Sequence, residues 1–214
     1  MSSPFDELLL PRSLRDGPPA VASDAAKWLN GASARDILDK LIRDDPLGIE
    51  PRCALRLHER AILIGRERVV MRAMAQVAYR AKDYRAWQPL DAFVRVNIDR
   101  AIDGLIERDR EDERARLPHE DDEAWGFLTR ALGVGADQAR RAAVAFNDLP
   151  PVVRRAFWRT VVEGASEARC AAEGLGTVTQ IHKRVTRAVQ TLSFGRDPGG
   201  DDPHDLHDGG ASRG

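Results

Sequence analysis

The chain has few cysteines, and their placement argues against the sites that cysteines usually build. Its 214 residues include only 2, Cys53 and Cys170, which lie far apart and in no CxxC or Cys/His cluster. A disulfide framework or a structural zinc site needs closely spaced sets of such ligands. We therefore expect two reduced thiols and no metal.

Long hydrophobic runs are also missing. The longest aliphatic stretches are residues 8–10 and 61–64, whereas a membrane-spanning helix needs roughly 20 apolar residues. The N-terminal sequence MSSPFDELLLPRS lacks the basic start and apolar stretch of a secretory signal. These features predict a cytoplasmic protein with no membrane partner.

Charge of one sign and enzymatic motifs are lacking as well. The net charge is −1, so a nucleic-acid site would have to come from local clustering of bases. The sequence contains no P-loop, GxGxxG, GxSxG or HExxH pattern. Ser166, Cys170 and His182 are the one conceivable nucleophile set, and Cys170 is expected on a buried helix face. We expect no catalytic residue and no cofactor, and hence no enzyme.

Apolar residues at helical spacing dominate the rest of the chain, and β-branched alternation is scarce. The fold class predicted is all-α, with two small helical domains at 24–108 and 124–194. Ten acids against four arginines at 103–123 indicate a solvated helix end and an acidic linker, which we place at 109–123. The Pro-, Ser- and Gly/Asp-rich ends, 1–23 and 195–214, are expected to be disordered.

The stretch PLDAFVRVNIDRAIDGLIERDRED at 89–112 predicts a long amphipathic helix. Its apolar positions follow i, i+3, i+4, i+7, i+8, i+11 and i+15 from Leu90 to Leu105, with Asn97 on the stripe. Asn97 is expected to make a buried hydrogen bond. A preceding helix at 61–82 places Val70, Met74 and Val77 on its own apolar stripe.

The C-terminal block predicts a helix-turn-helix. Ser166 is the expected cap of a short helix, and Gly176 allows a tight turn. The last helix is expected to bury Ile181, Val185, Ala188 and Leu192. Asn147 or Asp148 is expected to cap an earlier helix that begins with two prolines. The last helix carries no carboxylate, which suits a major-groove reader. Its candidate DNA-binding residues are Gln180, His182, Lys183, Arg184 and Arg187.

A second basic region lies at 61–100, where eight bases face four acids. Aromatic residues are interleaved with these bases, as in surfaces that stack unpaired bases. Trp87 lies in a turn and is expected to be exposed, whereas Phe93 lies on the apolar stripe and is expected in the core.

Both blocks resemble short bacterial RNA polymerase sigma factors of the extracytoplasmic-function type. The segment at 84–109 is similar to the promoter-melting part of sigma region 2, with Phe93-Val94 followed by DRAID at 99–103. The segment at 149–192 is similar to region 4, with Leu149-Pro150 and Arg154 at its start and RAVQTL at 187–192. The resemblance covers roughly residues 60–108 and 146–193.

This resemblance implies a transcription initiation factor whose partners are core RNA polymerase, promoter DNA and an anti-sigma protein. The implied promoter-melting residues are Arg85, Trp87, Phe93, Arg95 and Arg100. The implied polymerase-docking helix carries Arg68, Met71 and Arg72. In this helix the sequence RVVMR at 68–72 replaces the acidic surface of the family.

Two alternatives stay open at the level of the sequence. One is a stand-alone helix-turn-helix regulator that does not dock on polymerase, which the arginines at 68 and 72 favour. The other is a degenerate sigma-like protein-interaction module, which ion pairs of Lys183, Arg184 and Arg187 with acids would favour.

Overall fold

The computed structural model describes residues 8–14, 17, 25–85, 87–115 and 125–194, and all regular elements within them are helices. The predicted all-α class is therefore confirmed for this part of the chain. The α-helices are α1 (Ala25–Gly31), α2 (Ala34–Asp44), α3 (Ile49–Arg60), α4 (Arg66–Arg80), α5 (Leu90–Arg114), α6 (Gly126–Leu132), α7 (Ala136–Asp148), α8 (Pro151–Phe157), α9 (Glu167–Ala172) and α10 (Val178–Phe194).

Shorter helical turns complete these elements. Arg12–Leu14 and Ala81–Asp83 form 3-10 turns, and α8 continues into a π-helical turn at Trp158–Val162. None of the described helices combines the length and the continuous hydrophobicity that crossing a bilayer requires. The predicted disorder at 195–214 and at most of 1–23 falls outside the described residues.

Local sequence signals define several helix ends. Ser33 and Ser166 cap α2 and α9, and each hydroxyl accepts a hydrogen bond at 3.2 Å from the backbone N–H three residues on. The expected cap at Asn147 or Asp148 is wrong, because both residues belong to α7. Pro150 stands at the N-cap position of α8, which has no side-chain cap.

A first core lies among α1 to α5. Its members from the two central helices are Val69, Ala73, Met74, Val77, Ala78, Val94, Ile98, Ala101, Ile102, Leu105 and Ile106. Val70, Leu90 and Phe93 pack at its edge. The apolar stripes predicted for α4 and α5 are thus the faces that pack, because helical spacing of apolar residues gathers them on one side.

Ion pairs align α3 beside α5. Three arginines on successive turns of α3 contact three aspartates of α5 in the same order along the chain. The pairs are Arg52–Asp91 at 2.8 Å, Arg56–Asp99 at 2.8 Å and Arg60–Asp103 at 2.6 Å. These three aspartates therefore neutralise arginines of α3. They do not neutralise the arginines of their own helix, α5.

A second core lies among α6, α7, α8 and α10. Its members are Ala61, Leu63, Trp125, Leu128, Ala139, Ala142, Ala143, Phe146, Leu149, Val153, Phe157, Trp158, Val162, Ala188 and Leu192. Phe146 and Phe157 meet edge to face at its centre, with ring centroids 5.1 Å apart.

The segment 61–64, predicted as the start of a helix, lies outside α4 and belongs to both cores. Ala61 and Leu63 lie in the second core, while Ile62 and Ile64 lie in the first, as the alternation of an extended chain allows. The Asn147 side chain holds this segment. Its Oδ1 accepts from the N–H of Leu63 at 2.9 Å, and its Nδ2 donates to the carbonyl of Leu63 at 3.0 Å.

Helix α5 continues to Arg114, so residues 109–114 of the predicted linker are helical, and residues 116–124 lie outside the described part. This end of α5 contacts the second half of the chain. Arg110 Nε donates to Asp148 at 2.6 Å, and Arg140 lies 3.2 Å from Glu113. Asp109, expected in a solvated linker, is buried.

Candidate nucleic-acid interface

Helices α9 and α10 lie next to each other across a short connection at 173–177. Gly174 and Gly176 adopt φ values of 85° and 117°, which favour glycine. Behind them, Ala156, Cys170 and Ile181 form a small buried cluster that joins α8, α9 and α10. Ile181, Ala188 and Leu192 are buried as predicted and Val185 is half-buried beside them, so α10 turns its opposite face outward.

Two of the predicted DNA-binding residues hold the connection between these helices. Gln180 and Thr177 cap each other: the N–H of Gln180 donates to Thr177 Oγ1 at 3.2 Å, and the N–H of Thr177 donates to Gln180 Oε1 at 3.0 Å. Arg184 donates to the carbonyl of Leu175. A Cβ on Gly176 would lie 2.9 Å from Gln180 Oε1 and 3.0 Å from Arg184 Nη1. Gln180 and Arg184 thus position α10.

His182 and Lys183 are exposed on the outer face of α10. His182 Nδ1 lies 2.9 Å from Glu167 Oε1 on α9, whereas Lys183 forms no ion pair with any described residue. Arg187 is half-buried and engaged within the fold. Of the five predicted residues, Lys183 is therefore the cation presented most openly.

Sequence reasoning missed the polar residues that extend this face. Thr179, Thr186 and Gln190 are exposed. They lie at helical spacing before and after Lys183, so the four residues form one row along α10. Counting turns in both directions from Lys183 would have found them. The row offers a cation, hydroxyls and an amide, which are groups that contact phosphates and base edges in the major groove.

The turn between α4 and α5 exposes aromatic residues beside cations. Trp87 is 80% exposed, as predicted. Tyr79, which the sequence analysis did not single out, is 60% exposed, and Lys82 Nζ lies 4.8 Å from its ring centroid. Arg85 is exposed and donates to the carbonyls of Lys82 and Tyr84. This turn can stack unpaired bases on rings that carry nearby positive charge.

The remaining predicted promoter-melting residues divide between core and surface. Phe93 packs at the edge of the first core, with its ring 5.1 Å from that of Tyr84. Arg95 and Arg100 are exposed on α5. Asn97 is buried, and its Nδ2 donates to the carbonyl of Phe93 at 2.9 Å, as expected. Phe93 and Asn97 therefore support the helix and are not presented to a ligand.

The predicted polymerase-docking residues are also divided. Met71 and Arg72 are exposed on α4. Arg68 instead turns toward the second half of the chain, where its Nη2 lies 2.8 Å from Asp109 Oδ1 and its guanidinium carbon lies 5.2 Å from the ring centroid of Trp125. The buried Asp109 carboxylate therefore holds Arg68, and the assignment of this residue to a polymerase-docking helix stays a prediction.

Both cysteines are free and buried. Burial raises the pKa of the Cys53 thiol and that of the Cys170 thiol. A raised pKa disfavours the thiolate, so neither sulfur suits a nucleophile.

Comparison with known proteins found no family model, no curated protein and no solved structure that matches this chain.

Proposed function

We propose that the protein is a sigma-like transcription initiation factor that recognises promoter DNA and binds core RNA polymerase. In this proposal α9 and α10 form a helix-turn-helix in a C-terminal domain at 124–194. The first domain, at 24–108, supplies the exposed turn at Trp87 for an unpaired strand. Met71 and Arg72 on α4 supply the docking surface for polymerase.

The DNA-binding part of this proposal is supported mainly by the composition of the outer face of α10. This helix of 17 residues contains no acid, and its exposed row joins Lys183 to hydroxyl and amide side chains. An ordinary solvated helix face usually mixes both signs of charge. A positive row without carboxylates lowers the electrostatic cost of approaching phosphates and supplies donors for base edges.

Charge reversal at Lys183 tests this part. We expect Lys183→Glu to lower duplex-DNA affinity about tenfold or more and to make the salt dependence of log K shallower by about 1, because a phosphate contact is lost. Fluorescence anisotropy across a salt series measures both. Lys27→Glu makes the same charge change on exposed α1 and should alter the affinity less than about twofold. Equal losses in both variants would contradict a site on α10.

Polymerase docking needs its own experiment. Purified full-length chain is mixed with core RNA polymerase and run on a sizing column, beside a Met71→Glu/Arg72→Glu variant. Ile42→Glu/Arg43→Glu makes the same charge change at two exposed positions of α2 and is the matched control. Co-elution that the double variant loses and the control keeps supports the sigma-like function.

A stand-alone helix-turn-helix regulator is the second candidate. Arg72 favours it, since this exposed cation of α4 stands where sigma factors of this type present an acidic docking surface. This candidate predicts specific DNA binding without any polymerase complex, even at low salt. Lys183 has no acidic partner among the described residues, which gives the interaction-module alternative no comparable support.

A further inference from the structure

The N-terminal residues 8–14 lie at the junction of the two cores. Leu8 packs against the second core. A cavity of about 830 Å³ lies at this junction, and residues 8–10, three leucines in a row, form part of its wall. Both cores supply other parts of the wall, such as Ile62 of the first and Trp158 of the second. The three leucines therefore shield apolar surface of both cores from water.

Apolar contact holds these leucines in place. The backbone hydrogen bonds near them are local: the N–H of Leu14 donates to the carbonyl of Pro11 at 2.9 Å, and the N–H of Gly17 donates to the carbonyl of Leu14 at 3.1 Å. Among the described residues, no hydrogen bond joins the backbone of residues 8–10 to a helix.

The packing beneath the leucines is incomplete. Leu9 is 37% exposed, and the cavity beside residues 8–10 is not filled by other side chains. Side chains that face a void lose dispersion contacts on that side. A segment with few buried apolar contacts opens locally at a small cost in free energy. Residues 8–10 are therefore able to leave their place while the helices stay folded.

The segment borders the face of α4 that the proposed function assigns to polymerase. Met71 lines the same cavity as residues 8–10 and is 52% exposed, and Val70 beside it lines the cavity too. A specific protein interface covers roughly 800 Å² on each partner, far more than one exposed side chain offers. A partner centred on Met71 therefore extends onto the leucines.

We propose that residues 8–14 form a displaceable cover over the junction of the two cores, and that a partner which docks on α4 at Met71 displaces this cover. The cover then weakens the apparent affinity for that partner, because only the uncovered fraction of the chain binds it. The identity of the partner as core polymerase rests on the proposed function, whereas the existence of the cover does not.

Thiol accessibility tests the cover without any partner. Both native cysteines are buried, so in Ala54→Cys the introduced thiol, which lines the cavity from α3, is the one that reacts. We expect its alkylation by N-ethylmaleimide to become about threefold faster or more when Leu8→Ser/Leu9→Ser/Leu10→Ser is added. Ala92→Cys, at a half-buried position of α5 outside the cavity, should react equally fast with and without the leucines.

Two results of this experiment would overturn the cover. One is an unchanged alkylation rate in Ala54→Cys after the three leucines are replaced. The other is a loss of helical circular dichroism in the serine variant, because residues 8–10 would then be part of the folded core and not a cover upon it.

Core RNA polymerase tests the competition. We expect the serine variant to bind it about tenfold more tightly than the unchanged chain, as measured by anisotropy of a fluorescent label. Val96→Ser, at an exposed apolar position of α5 outside the cavity, should leave the affinity unchanged. Equal affinities of the serine variant and the unchanged chain would overturn the competition. Absence of binding in both would contradict the proposed function, and the alkylation rates would still decide whether the cover exists.

Discussion

Helices α4 and α10 carry similar cationic sequences and use them differently. On α10, Lys183 points outward and no described acid pairs with it. On α4, Arg68 turns inward onto Asp109 and the ring of Trp125, while Arg72 stays exposed. The difference shows that a count of cations along a helix does not give the charge available to a partner, because acidic residues of neighbouring helices can pair with those cations.

Removing Arg68 should have the largest effect on this contrast. Arg68→Met leaves the buried Asp109 carboxylate uncompensated, so we expect the free energy of unfolding to fall by about 3 kcal/mol. Arg72→Met, at an exposed position of the same helix, should cost less than about 0.5 kcal/mol. Urea unfolding followed by circular dichroism measures both.

A double substitution sharpens that result. Arg68→Met combined with Asp109→Leu removes both charges, and we expect it to recover most of the lost stability. A double variant as unstable as Arg68→Met would show that the loss comes from the contact with Trp125 and not from the carboxylate.

The next largest effect on stability is expected from loosening the segment 61–64, which Asn147 holds. Asn147→Ala leaves the N–H and carbonyl of Leu63 without their side-chain partners, at an expected cost of about 2–3 kcal/mol. Asn30→Ala, on exposed α1, is the control. A midpoint of urea unfolding that stays unchanged in Asn147→Ala would mean that the two cores are not coupled through this residue.

The corresponding test on α10 concerns its turn. Gly176→Ala places a Cβ at φ 117° and within 3.0 Å of the Gln180 and Arg184 side chains, so we expect a loss of about 1–2 kcal/mol. Gly104→Ala, within α5 and with no atom within 4 Å of the new Cβ, should stabilise the chain by about 0.5–1 kcal/mol. Thermal unfolding measures both changes: the melting temperature should fall in Gly176→Ala and rise in Gly104→Ala.

The smallest effect is a pH dependence at the junction of the cores. Burial, followed by the charge of Arg159, lowers the pKa of His58 from 6.5. His58 Nε2 lies 2.7 Å from Glu163 Oε1, and Arg159 contacts the same carboxylate, while the charge of Glu59 opposes the shift. Because the folded pKa is the lower one, this stability is present above pH 6.5 and is lost as the pH falls through the folded pKa.

Replacing the imidazole removes that dependence. In His58→Gln the decline of the unfolding midpoint below pH 6.5 should be less steep than in the unchanged chain. His182→Gln, on the exposed face of α10, is the matched control. Equal slopes in all three chains would contradict the assignment to His58.

Much of the secondary structure followed from the sequence alone. The apolar stripes of α4, α5 and α10, the cap at Ser166, the burial of Asn97 and the exposure of Trp87 were all predictable. Each depends on residues within a few turns of one another, and the helical period fixes which of them share a face.

Only the tertiary structure decided how the helices use their polar residues. It directed Arg68 to Asp109, Asn147 to Leu63, and Gln180 with Arg184 to the turn before α10. Arg68 and Asp109 lie 41 positions apart, and Asn147 and Leu63 lie 84 apart. Periodicity reports the side of a helix on which a residue lies, but the partner that meets it there is set by the packing of distant segments.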